Sequence, residues 1–280
     1  MKKVLRREGG FTIVEGLVVL VITGLLITFA ARFFILQNKE CYVQGEISFL
    51  QKDIRLAMET LESEIRMAGS GFPRGIMTSS ITIMNAEEGP DELVLMQTVP
   101  GVRCLLTQTM PDQSAELQCD NTAGFAPGWA LIADEVGSEL FLITQVEDNL
   151  NRLQHDSMTL SRAYQAASRV MQARLSQFLV DAGTAATGSA EGRSRLVRRE
   201  YDGTEHIVAE DIEDIQYVYI LKDHSETTVM PADPNDLVMV RVTVIGRTAK
   251  SDADFTGDGY RRRELVTRVQ LRNFNLRNGI

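Results

Sequence analysis

Few of the side chains able to do chemistry stand where chemistry would need them. The three histidines, His155, His206 and His224, are scattered, and none belongs to an H-E-x-x-H pair. The chain has no C-x-x-C, no G-x-S-x-G and no P-loop. Aspartate and glutamate are plentiful, but in an acidic chain they form solvated surface. Without a nucleophile beside a base, or a paired ligand set, the inventory points away from an enzyme.

One segment has the spacing of a cation loop. In Asp252–Tyr260 (DADFTGDGY), Asp254, Thr256, Asp258 and the Tyr260 carbonyl fall at positions 1, 3, 5 and 7 of a calcium loop, with Gly259 at its sharp turn. The closing carboxylate is misplaced: Leu265 stands at that position and Glu264 is one residue early. Arg261, Arg262 and Arg263 add repulsion. The rival reading, an Asp/Gly-rich loop before the last strand, is the stronger one. Calcium at this loop is the only cofactor the sequence suggests.

The three cysteines raise a second question. Cys104 and Cys119 lie in one Gly/Pro-bounded stretch and could close a short loop. In an oxidising compartment that link would constrain the unfolded chain by roughly 3 kcal/mol. Spacing does not fix connectivity, so two unconnected thiols remain the alternative. Cys41 is the odd one, just beyond an apolar segment.

Glu15 is the residue that most needs explaining. From Gly16 to Ala31 no residue is charged, and counting from Phe11 only Glu15 interrupts the apolar run. The run approaches the roughly 20 residues that span a bilayer core. A carboxylate there costs on the order of 2.5–3.5 kcal/mol at the centre, less near an interface. It must snorkel to water or find a cation. Lys2, Lys3, Arg6 and Arg7 precede the run and favour a cytoplasmic head with the body outside. An ordinary secretory signal is cut after its apolar run, near small residues. Here no such site follows Ala31, and the small pair Gly9-Gly10 lies before the run. Cutting after Gly10 would keep the helix and free a cationic amine on Phe11, about one turn from Glu15. In a helical array that amine on one subunit can neutralise Glu15 of the next.

Gly9-Gly10-Phe11-Thr12-Ile13-Val14-Glu15-Gly16-Leu17, behind a basic leader, resembles the processing site of type IV prepilins and type II secretion pseudopilins. The resemblance implies cleavage by a prepilin peptidase after Gly10, methylation of Phe11, and an assembly role for Glu15. Three further stretches resemble PilW-type minor pilins: the helix end Arg55–Gly69, the segment Ala209–Tyr217 and the segment Arg268–Asn273. The partners so implied are the major and other minor pilins, the prepilin peptidase, the inner-membrane assembly machinery, and lipid before assembly. A pseudopilin, a pilus-tip adhesin and a membrane-tethered ligand-binding domain are the competing functions.

These residues need particular elements to hold them. After Cys41, Ile47, Leu50, Ile54, Met58, Leu61, Ile65 and Ala68 recur at helical spacing, and Gly69, Gly71 and Pro73 end the pattern. A continuous helix from Phe11 to Ala68 runs about 87 Å at about 1.5 Å per residue, with Gly45 a candidate bend. Beyond Gly75 short apolar runs alternate with turns. Strands are expected at Ile81–Met84, Glu92–Gln97, Trp129–Ile132, Glu139–Val146, Leu153–Leu160, Leu196–Arg199, Ile215–Leu221, Leu237–Ile245 and Leu265–Leu271. In Ala163–Val180 composition favours helix and context favours strand; Arg174–Val180 is assigned to strand. Ala182–Arg195 reads as an exposed loop.

The expected fold is therefore α+β and pilin-like, a long N-terminal helix packed on an antiparallel sheet. Its parts are a leader (1–10), a membrane and filament-core half-helix (11–36), an amphipathic half-helix (37–68) and a β-rich periplasmic head (69–280). The formal net charge is -9, and the basic leader makes the remainder more acidic still. An acidic body argues against nucleic-acid binding, which requires a cationic face.

Overall fold

The computed structural model describes residues 12–72, 80–156, 160–183, 193–231, 236–252 and 254–272 of the 280-residue chain. The architecture is α+β. Among the described residues one α-helix, α1 (Ile13–Met67), precedes thirteen strands: β1 (Ile81–Met84), β2 (Glu92–Leu105), β3 (Leu117–Gln118), β4 (Gly128–Ala133), β5 (Ser138–Glu147), β6 (Arg152–His155), β7 (Arg169–Asp181), β8 (Arg195–Glu200), β9 (Glu205–Glu210), β10 (Ile212–Leu221), β11 (Glu226–Thr227), β12 (Leu237–Arg247) and β13 (Arg262–Gln270). The chain divides into two compact units, Met1–Phe49 and Leu50–Ile280. The last turns of α1, from Leu50, therefore belong with the sheets, and Gly45 does not break the helix.

In the larger unit the apolar stripe of α1 makes the first core. Leu50, Ile54, Ala57, Met58, Leu61 and Ile65 are all buried. They meet Ile81 of β1, Leu93 and Leu95 of β2, Phe178 of β7, and the inward residues of β10 and β12. Each such side chain contributes on the order of 1.5–3 kcal/mol by leaving water. From Val240 the alternation in β12 is strict, with Val240, Val242 and Val244 fully buried; Val238, of the same parity, is only half-buried, and Leu237 is buried instead, beside the slip in pairing between Ile220 and Leu221. The helix stops where Gly69 and Gly71 turn left-handed (φ 69° and 80°). Gly69 N then donates to Met96 O of β2 at 2.8 Å. A Cβ on Gly71 would collide with Thr98 Oγ1. Pro73 lies outside the described residues.

All the ladders are antiparallel. One sheet runs β1-β2-β7-β4-β5-β6-β3, with β8 and then β9 added beside β7; the other runs β11-β10-β12-β13. A single residue, Asp211, turns the chain from β9 into β10. Its φ is 59°, its carbonyl accepts from Arg247 N, and its carboxylate is gripped by Arg193 at 2.9 and 2.6 Å.

The larger sheet also closes on itself. β2 pairs with β7, β7 with β4, β4 with β5, β5 with β6 and β6 with β3. β3 returns to the end of β2 through a bridge between Leu106 and Cys119. This ring of six strands encloses a second core, among others Leu106, Leu117, Phe141, Ile143, Leu153 and Val170. β2 serves both cores because it bends. Its pairing with β7 slips between Thr98 and Arg103, across Pro100 and Gly101 (φ 84°), so Leu93 and Leu95 face the helix while Cys104 faces the ring.

Several sequence-based boundaries move for physical reasons. β2 does not end at Gln97, because Pro100-Gly101 forms the bulge rather than a stop. β7 is a strand throughout Arg169–Asp181: partners on both sides override the helical preference of its Ala, Met and Gln residues. The strand expected over Leu153–Leu160 is β6, Arg152–His155; residues 157–159 lie outside the described set. β8 begins at Arg195, inside the predicted loop, of which residues 184–192 are also outside that set. β9 and the two-residue strands β3 and β11 were not expected.

Helix and sheet come close at Gly246 in β12. A Cβ there would lie 2.8 Å from both Asp211 O and Leu50 Cδ1, and 3.0 Å from Ile54 Cγ1. Gly246→Ala is expected to destabilise the larger unit by about 1–3 kcal/mol. Gly45→Ala, with open space around it, should be neutral or slightly stabilising. Denaturant unfolding of the detergent-extracted chain measures both.

Candidate functional site

The described chain opens with a reciprocal cap. Thr12 N and Thr12 Oγ1 each donate to Glu15 Oε2 at 3.0 Å, and Glu15 N donates to Thr12 Oγ1 at 3.3 Å. This is the T-x-x-E capping box, which satisfies amides that the first helical turn leaves unpaired. A carboxylate there also lies at the positive end of the helix dipole. Gly9, Gly10 and Phe11 lie outside the described residues. The box needs nothing before Thr12, so it is compatible with a chain beginning at Phe11.

Behind the cap, from Gly16 to Ala31, the helix carries no charged side chain. Every side chain from Thr12 to Tyr42 is exposed, with Ile13 at 90% and Phe29 at 69%. The most apolar 18-residue window of α1 has a mean hydropathy of 2.5, and among the described residues α1 is the one helix long and apolar enough to cross a membrane. The Thr28 hydroxyl donates to Gly24 O at 2.8 Å and so carries no unmet donor into apolar surroundings. A surface apolar all round needs lipid or other apolar helices against it.

Among the described residues the larger unit shows no comparable convergence. His155 bonds Ala115 O and Asp156 O, both at 3.0 Å, and its ring stands edge-on to Phe141. His206 and His224 are exposed. The carboxylates held down by ion pairs belong to separate structural contacts. Arg162 holds the Asp134 carboxyl down at about 2, through bonds of 2.7 and 2.6 Å. Arg262 does the same for Asp258.

That second pair bears on the proposed cation loop. Asp258 receives Arg262 at 3.1 and 2.6 Å and the Tyr260 amide at 3.1 Å, while Arg262 also reaches Glu213. Arg261 binds Asp252 at 3.0 Å, and Asp254 N donates to Asp252 Oδ1. The guanidinium groups thus lie against loop carboxylates. Among the described residues no group of three or more His, Cys, Asp or Glu side chains could hold a metal ion. Asp254 and Thr256 remain at the exposed tip.

The three cysteines occupy two environments. Cys41 is exposed on α1, whereas Cys104 and Cys119 are buried with their sulfur atoms 2.8 Å apart. Of the residues that build the site, Thr12 was read only as part of a resemblance. Its capping role is legible in the spacing Thr12-Ile13-Val14-Glu15, a threonine three residues ahead of a glutamate at the head of an apolar run.

Residues 5–31 match the family model of the prokaryotic N-terminal methylation motif. No curated protein sequence matches this chain. The matched segment contains the Gly9-Gly10-Phe11 site, the capping box and the start of the apolar helix. Thr12→Val should remove two of the three cap bonds and cost about 0.5–2 kcal/mol of local helix stability. The expected readout is faster amide exchange over Ile13–Glu15 in micelles, with unfolding of the head unchanged.

Proposed function

We propose that this chain is a minor type IV pilin, a structural subunit that helps to start or cap a filament. The N-terminal methylation motif supports membership of the type IV pilin and pseudopilin group. The observation that carries the reading is the pairing of that motif with an exposed helix, uncharged from Gly16 to Ala31 and headed by one carboxylate. Three other stretches, which resemble PilW-type minor pilins, support the subtype. They fall at the end of α1, the β9–β10 corner and the end of β13, and residues of all three share one core: Leu61 and Ile65, Ile212 and Ile215, Val269 and Leu271.

In this reading the chain is inserted with its basic leader in the cytoplasm and its head in the periplasm. A prepilin peptidase cuts after Gly10, and the new Phe11 amine becomes the N-terminus and is methylated. The helix then leaves lipid for the filament core. Glu15 meets the Phe11 amine of a neighbouring subunit, and the charge pair fixes axial register. The partners are the major and other minor pilins and the inner-membrane assembly machinery. The head coats or caps the filament and has no catalytic part. A pseudopilin of a type II secretion filament uses the same chemistry and is the second reading.

Two substitutions test the account in cells that make the filament. Gly10→Glu should leave the leader attached and keep the chain in the membrane. Glu15→Ala should leave the chain stable but reduce its recovery in sheared surface filaments at least tenfold. Normal incorporation of both variants would overturn the proposal. Recovery only from a periplasmic secretion filament, never from surface pili, would favour the pseudopilin.

A further inference from the structure

The six-stranded ring is closed at its shortest seam. β3 has two residues, and its junction with β2 is one bridge, Leu106 to Cys119. Two backbone bonds hold that bridge: Thr107 N to Gln118 O at 2.8 Å and Asp120 N to Leu105 O at 3.0 Å. Side chains add two more: the Asp120 carboxylate accepts from Leu105 N at 2.9 Å, and Thr107 Oγ1 donates to Gln118 O at 3.2 Å. By contrast, β4 and β5 pair over six residues, Gly128–Ala133. A seam so short is where a closed sheet opens first, since few bonds oppose the entropy of freeing the intervening chain.

Cys104 and Cys119 stand on the two sides of that seam. Their sulfur atoms are 2.8 Å apart, and the side chains are buried at 3% and 4% exposure within the ring core. We infer that Cys104 and Cys119 are joined by a disulfide in the mature protein, and that this bond clamps the ring shut. Cys41, exposed on α1, stays a free thiol.

The bond has to form before the ring closes. In the folded, reduced chain the hydrogen bond to Cys119, and then burial, push the Cys104 thiol well above its ordinary range, so little of the attacking thiolate exists. In the unfolded chain both thiols are open. One cysteine thiolate attacks an external disulfide, forms a mixed disulfide and displaces one thiolate. The second cysteine thiolate then attacks the chain's own sulfur, forms the Cys104–Cys119 bond and releases the other thiolate. Two cysteine thiols are oxidised, one external disulfide is reduced to two thiols, and the two protons pass to those thiols or to solvent. The oxidant is a protein or glutathione disulfide, available in an oxidising envelope compartment. To that extent the inference rests on the proposed export of the head.

The test uses the full-length chain in two arms. Chain taken from its native cells is alkylated under denaturing conditions and mapped without reduction. In parallel, purified chain is reduced, unfolded and refolded in a glutathione redox buffer, then mapped in the same way. The expected result in both arms is a linked Cys104–Cys119 peptide, with Cys41 alone alkylated. Free Cys104 and Cys119 after refolding, or a link to Cys41, would overturn the pairing. Linkage on refolding but free thiols in the native chain would contradict export of the head while supporting the pairing. The clamp has its own readout. Reductant should lower the unfolding midpoint of the wild type by about 6–12 °C and leave the Cys104→Ala, Cys119→Ala variant unmoved. No fall in the linked wild type would refute the clamp.

Discussion

A carboxylate at the head of an uncharged helical run sets the terms for this protein. The apolar surface of α1 beyond Glu15 is too long and too uniform to be left in water. In lipid or among other helices, Glu15 is the group that needs compensation. Thr12 supplies part of it, donating from both its amide and its hydroxyl. Those bonds are neutral–ionic and leave a full negative charge. A cation completes the set, and in the proposed assembly it comes from the amine that leader removal exposes on a neighbour. The cap also orients the carboxylate before assembly, so less freedom is lost when the pair forms.

The larger unit is organised to hold one stretch of helix and to present a β-rich body. Leu50 to Ile65 make the stripe, and the two sheets divide the work of covering it. Gly246 lets β12 come close, and Asp211 turns the chain between sheets in a single residue. Arg174 and Arg198 reach Glu64 of α1 at 3.4 and 3.5 Å, adding a polar contact at the rim of the same interface. The ring formed by β2, β7, β4, β5, β6 and β3 builds its own core without help from α1. It is joined to the helix-bearing part through β2 and β7, which run through both.

How much of this could be read from the residues depends on the range of the interactions involved. The apolar run, Glu15 and the Gly9-Gly10-Phe11 site are local, and their meaning is carried by adjacent residues. So is the shared parity of Val238, Val240, Val242 and Val244, which marks β12 although Val238 is only half-buried. The stripe on α1 is likewise periodic, and from Leu50 it packs as its spacing implies, while Ile47 is only half-buried. Long-range features were less legible. Pro100-Gly101 reads as a terminator until β7 is known to pair on both sides of it. β7 itself has helix-forming residues, and its strand character comes from partners far away in sequence. Closure of the ring depends on β3, two residues long, meeting the end of β2. The Asp254–Tyr260 spacing suggested a cation, but spacing could not show that Arg262 would occupy the Asp258 carboxylate.

In the proposed assembly the Phe11 amine comes into being only when the leader is removed. Top-down mass spectrometry of the native chain, taken from membranes and from sheared filaments, reads that terminus. In filaments the chain should begin at Phe11 and carry a methyl group on its amine. A filament-borne chain still beginning at Met1, or one cut beyond Ala31 so that the apolar helix is gone, would contradict that assembly.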